Sequence, residues 1–206
     1  MDDPISEWTP SLVALVSAAE PVSSPVNLET YLSIEGHKQA SVTGGCLWAR
    51  YKEKKFHCAY VAPHVCARQT YEDLVRHAPL IERHGYIEPN AHIEPNAHIV
   101  GQAITQWVDY WVLSEAGHIP FRQIIFCRAH DKQPILIIAT QEVCYQGIEQ
   151  LAGFSPLRIE ELKAENPLHP ASVTIFTPIP QHDGLRLAMT TYNHIYYERA
   201  LQAGKE

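Results

Sequence analysis

SLVALVSA, residues 11–18, is an almost unbroken apolar run of β-leaning side chains. Eight such residues are too few for a buried helix and enough for a buried strand. The Pro/Ser turn EPVSSPV follows it. NLETYLSIEG (27–36) then reads as a short helix, with Asn27 as cap and Gly36 past its end. GGCLWARYKEKKFHCAYVAP (44–63) reads as a hairpin, with arms Cys46–Tyr51 and Phe56–Val61 joined by YKEKK. TYEDLVRHAPLIERHG (70–85) reads as a helix capped by Thr70, ended by Gly85 and kinked or split at Pro79.

The second half continues the pattern. VGQAITQWVDYWVLSEAG (100–117) is ambiguous, although Trp107, Tyr110 and Trp111 have helical spacing. FRQIIFCRA (121–129) reads as a strand. PILIIATQEVCYQGIEQLAG (134–153) reads as a helix with a strand-like start, with Gly153 near its end. ASVTIFTPI (171–179) reads as a strand ending at Pro180, and LRLAMTTYNHIYYERALQAG (185–204) as a closing helix. Residues 155–170 give no clear pattern. The order spells β-α-β-β-α-β, so the expected class is α+β: a ferredoxin-like or RNA-recognition-motif (RRM-like) domain. It would span 1–206 as one domain, with an insertion at 86–118 and a C-terminal extension.

The tandem hexamer IEPNAH occupies Ile87–His92 and Ile93–His98. Its Pro89 and Pro95 exclude a continuous helix. His92 and His98 are six apart, as are Glu88 and Glu94. On a helix six residues turn about 600°, and on a strand they span about 20 Å, so neither geometry makes a chelate. The Pro-Asn dipeptides point instead to a duplicated, exposed loop.

Charge narrows the choice of partner. Residues 1–36 hold six acids and no Lys or Arg, whereas residues 37–84 hold eight bases and four acids. A local +4 in a chain of net −7 points to an anionic partner. Trp48 and Tyr60 on the expected hairpin could stack bases. Arg50, Lys52, Lys54, Lys55 and Arg68 could meet phosphates. The competing reading is an aromatic core strand beside a polar tip.

Other chemistry is poorly marked. HCAYVAPHVC offers His57, Cys58, His64 and Cys66, but no second pair completes a zinc tetrahedron. No metal or cofactor is expected. GxSxG, P-loop, GxGxxG and HExxH motifs are all missing. His194 beside Tyr192, Tyr196 and Tyr197 is material for metal-free RNA cleavage. Five cysteines without a CxxC pair, an acidic polar start (MDDPISEWTP) and no run of 18 apolar residues suggest a reducing cytoplasm and no membrane.

SLVALVSAAEPVSSPVNLETYLSIEG resembles the start of RAMP-type subunits of class 1 CRISPR effector complexes: a strand, a proline turn from Pro21 to Pro25, then Leu28, Glu29 and Leu32. FRQIIFCRAHDKQPILIIATQEVCYQGIEQLAG is similar to that family's strand, turn and long helix. Gly147 and Gly153 stand where the family has a glycine-rich segment, but no GxG is present. The resemblance is nearest to the type IV subunit that holds the crRNA 5′ handle. It implies a non-catalytic ribonucleoprotein subunit of antiviral defence, bound to crRNA and other effector subunits and near target DNA. A crRNA-processing endoribonuclease and a protein–protein adaptor remain the alternatives.

Overall fold

A computed structural model describes residues 10–52, 55–62, 64–76, 80–81, 111–112, 121–125, 132–181 and 184–197. The strands are β1 (Leu12–Ser17), β2 (Cys58–Val61), β3 (Trp111–Val112), β4 (Pro134–Ala139), β5 (Val173–Gln181) and β6 (Gly184–His194). The helices are α1 (Ile34–Tyr51), α2 (Val65–Arg76), α3 (Phe121–Ile125), α4 (Gln141–Ala152) and α5 (Pro156–Glu165). Among the described residues the strands form one mixed sheet in the order β3-β2-β4-β1-β5-β6. β3, β2, β4 and β1 run parallel, β5 is antiparallel to β1, and β6 is antiparallel to β5.

LVALVS and PILIIA are continuous apolar runs because β1 and β4 lie at the middle of the sheet, where both faces are covered. Val13 to Val16 and Ile135 to Ala139 are at most 1% exposed. A ferredoxin-like sheet is therefore not formed. That arrangement needs the two strands of the first half to pair as a hairpin, and here the 44–51 arm is helical. Ala40, Gly44, Leu47 and Tyr51 recur at helical spacing, with Ala40, Gly44 and Leu47 buried. The aromatic residues that suggested a strand pack from a helix surface, where position outweighs β-propensity.

α1 begins later than the 27–36 helix expected from the sequence. Its cap is Ser33, whose Oγ accepts from the Gly36 amide at 2.9 Å. Asn27 instead organises a turn, its Oδ1 accepting from the Glu29 amide and the Thr30 hydroxyl. Two glycines set how closely α1 approaches its neighbours. A Cβ on Gly36 would stand 2.2 Å from the Glu20 carbonyl oxygen, and one on Gly44 would stand 2.2 Å from that of Leu74 in α2. α2 starts five residues before the Thr70 cap expected for it.

Two further assignments reverse. FRQII is helix α3, whose buried Phe121 and Ile125 are one turn apart. The closing helix is strand β6, paired with β5 from Gln181↔Gly184 up to Val173↔His194. The Asp-Gly dipeptide at 183–184, after the β-leaning run 171–179, was the sequence signal for a hairpin. The strands at 11–18 and 171–179 form as read, within two residues, whereas the helix expected at 134–153 divides into central strand β4 and helix α4. Unassigned residues 156–165 form α5, capped by Ser155, whose Oγ accepts from the Arg158 amide. The IEPNAH repeat, Pro79, Gly85, Trp107 and most of 86–118 lie outside the described residues.

Candidate functional site

Parallel strands bring their carboxyl ends to one edge of the sheet. The chain leaves β1 toward β2 on one side and leaves β4 toward β5 on the other, so β1 and β4 flank the switch point where such sheets form crevices. The residues ending these strands are Ser17–Ala18–Ala19–Glu20 and Ala139–Thr140–Gln141, with no imidazole and no cation.

The polar groups at this edge hold backbone. The Ala18 amide donates to Ala139 O at 2.7 Å, and Ala18 O accepts from the Ala171 amide at 3.3 Å. The Ala19 amide donates to Thr70 Oγ1 at 2.9 Å, and that hydroxyl donates to Cys66 O at 2.7 Å. Gln39 accepts from the Glu20 amide through Oε1 and donates to the Glu20 carboxylate through Nε2. Cys144 is fully buried, with its Sγ toward Val16 O and Ala139 O. Burial pushes the Cys144 and Cys66 thiols up, so neither supplies a thiolate.

The reactive cluster lies instead between α1 and α2. His37 Nδ1 stands 2.5 Å from Asp73 Oδ2, and an Arg76 guanidinium nitrogen 3.0 Å from Asp73 Oδ1. Asp73 is 2% exposed, whereas His37 and Arg76 have 43% and 59% of their side chains in solvent. A carboxylate that deep persists because both its oxygens are engaged by groups able to carry charge. Lys38, Ser41 and Val42 complete a groove of about 530 Å³. With Nδ1 engaged by Asp73, Nε2 is the imidazole nitrogen left to meet a ligand.

Sequence reasoning singled out neither His37 nor Asp73. The two are 36 residues apart and meet only because Gly36 and Gly44 let α1 settle against its neighbours. Of the stacking and phosphate candidates, four gather around the C-terminal end of α1 and the others lie elsewhere. Trp48 and Arg50 are on α1, Lys52 follows its last turn, and Lys55 lies 5.9 Å above the Trp48 ring. Tyr60 is buried in β2 at 3% exposure, Arg68 is exposed on α2, and Lys54 lies outside the described residues. Arg50 donates to Tyr196 Oη at 3.5 Å, and His194 packs edge-on against Tyr196. Tyr192 Oη donates to Asn166 O, and burial raises its phenol. Among the described residues no group of three or more His, Cys, Asp or Glu could hold a metal.

No protein-family model matches the sequence, and no curated protein matches it either. Solved structures do. A putative phosphohistidine phosphatase SixA from Agrobacterium tumefaciens aligns at TM-score 0.58 and 12% identity, covering 88% of this chain and 96% of that one. A phosphoserine phosphatase from Entamoeba histolytica aligns at 0.56 and 15%, over 88% and 96%. It was solved as a histidine-to-alanine variant in complex with phosphoserine. A mycobacterial glucosyl-3-phosphoglycerate phosphatase aligns at 0.54 and 11%, over 89% and 99%.

The shared property is the histidine phosphatase fold. It overturns the CRISPR RAMP-type reading and, with it, the non-catalytic 5′-handle subunit, the endoribonuclease, the crRNA and effector-subunit partners and any role beside target DNA. The expectation of no enzymatic activity is also at odds with these comparisons, because the solved structures that share the fold are named as phosphatases. The N-terminal match misled because a strand, a proline turn and a leucine-bearing segment arise wherever a buried strand leads into a capped helix. No described helix is long and apolar enough to cross a membrane.

Proposed function

We propose that this chain is a phosphomonoester hydrolase that takes the phosphoryl group of a small molecule into the α1–α2 groove and reacts through His37. One observation carries the reading: His37 Nδ1 is held by the buried Asp73 carboxylate in a groove that also holds Arg76 and Lys38. A carboxylate at Nδ1 fixes the imidazole tautomer and makes Nε2 a better nucleophile. Arg76 and Lys38 suit a doubly charged phosphoryl group, Arg by its forked donors and Lys as a point charge. The substrates in the neighbours' names have only a phosphoryl group in common, so that group alone is carried over.

The chemistry has two steps. The Nε2 lone pair attacks phosphorus, the ester P–O bond breaks, and the alcohol leaves with a proton from water. The hydroxide left by that water then attacks phosphorus and cleaves the P–N bond, releasing inorganic phosphate and restoring the neutral imidazole. The reaction is assigned to His37 because Ser17, Ala18 and Thr140 at the strand ends supply no imidazole. A cytoplasmic location and a single domain over 1–206 with an insertion at 86–118 belong to the same proposal. The location is supported by Cys46, Cys58, Cys66 and Cys144, which form no disulfide.

Phosphate release from phosphoserine, 3-phosphoglycerate and p-nitrophenyl phosphate tests the proposal. His37→Asn should lower kcat about 100-fold, the low end for a positioned reactive group. Turnover unchanged in that variant, or no release from any of the three by the wild-type chain, sinks the reading.

A further inference from the structure

The groove is larger than a phosphate needs, and an exposed apolar surface leads up to it. Seven large apolar residues are exposed among the described ones, and five fall within 22–34: Val22, Val26, Leu28, Tyr31 and Ile34. Tyr31 is 54% exposed and Ile34 81%. The segment bearing them is fixed in place. The Val22 amide donates to Tyr31 O at 2.9 Å, Ser33 to Glu20 O at 2.9 Å, and Val65 of α2 to Leu28 O at 2.9 Å. The Leu32 amide donates to Gln69 Oε1 of α2 at 2.8 Å. An apolar surface that is both exposed and rigid marks a binding site more often than chance exposure does.

Position on the helix connects this surface to the groove. Ile34 is the first residue of α1, and His37, Lys38 and Ser41 follow at i+3, i+4 and i+7. Those positions share one face, so Ile34 stands one turn from His37 and Lys38 on the face that lines the groove. Resting on the phosphoryl reading above, we infer that Ile34 selects a phosphomonoester whose alcohol part is apolar or aromatic. The phosphoryl group would meet Lys38 and Arg76, and the apolar part would cover Ile34. Sugar-like alcohols gain nothing from such a surface, because covering it desolvates their hydroxyls without new partners.

Calorimetric titration with two phosphonates, which cannot be hydrolysed, separates the parts. Wild-type protein should bind phenylphosphonate about tenfold more tightly than methylphosphonate, the return on covering a few tens of Å² of apolar surface. Ile34→Ser should cut that preference to about twofold. Its methylphosphonate affinity should stay at the wild-type value, and circular dichroism should confirm that the variant is folded. Arg76→Ala should weaken both ligands. If methylphosphonate does not bind, or binds equally to Arg76→Ala, the phosphoryl reading fails and takes this inference with it. If methylphosphonate binds through Arg76 but phenylphosphonate shows no preference, or one that Ile34→Ser leaves intact, only the inference fails.

Discussion

Asp73 is the residue on which the site turns. It is buried, and its Oδ2 and Oδ1 meet His37 and Arg76, so one side chain both anchors α2 and orients the imidazole on α1. Neutralising it without changing its shape separates the roles. Asp73→Asn should retain the fold yet lower turnover about 100-fold, by loosening the imidazole and weakening Nε2. Asp73→Ala should do the same and cost about 2 kcal/mol of stability, since it also opens a cavity and leaves a polar contact unmade. Urea denaturation beside a phosphate-release assay distinguishes the two effects. Full activity in Asp73→Asn would remove the carboxylate from the mechanism. Nothing in the sequence marks this residue, because Glu72–Asp73 reads as ordinary helix surface and its burial is a property of the α1–α2 contact.

At the scale of elements, the hairpin of β5 and β6 raises its own problem. β5 pairs with β1 only from Val173 to Phe176, so Thr177–Gln181 runs past the first residue of β1 and, among the described residues, pairs with β6 alone. An open strand edge there would invite pairing with another chain. Pro178 and Pro180 are two apart, so their nitrogens point to the same edge. Retaining the β6 ladder requires that edge to be the open one. Having no N–H, they deny a template to an incoming strand. Replacing both with Thr should therefore promote concentration-dependent association, which light scattering would detect. A variant as monodisperse as the parent would show the edge to be protected otherwise. The prolines were legible in the sequence as the end of a strand, but their purpose was not, because it depends on which strands flank β5.

At the scale of the molecule, β2, α2 and α4 contribute Cys58, Cys66 and Cys144 to one continuous core. All three are at most 5% exposed, and burial raises the Cys66 and Cys144 thiols. Cooperative folding of that core predicts that their alkylation, followed residue by residue by mass spectrometry, appears in one transition with rising urea. Cys46 should react earlier, since it is only partly covered. Loss of protection at one of the three well before the others would show that the core opens in parts. The sequence by itself settled β1, whose apolar run is short and bounded by a turn, as a buried strand. It took 134–153 as one helix, which the structure divides into β4 and α4. It did not settle the arms. Residues 44–51 (GGCLWARY) and 185–194 (LRLAMTTYNH) carry large apolar and aromatic side chains that serve a helix face or a strand equally, and what they pack against decides between them. The tertiary structure alone set the strand order and the meeting of His37 with Asp73. The first follows from pairing between strands far apart in the chain and the second from the close approach of α1 at Gly36 and Gly44, and no local spacing encodes either.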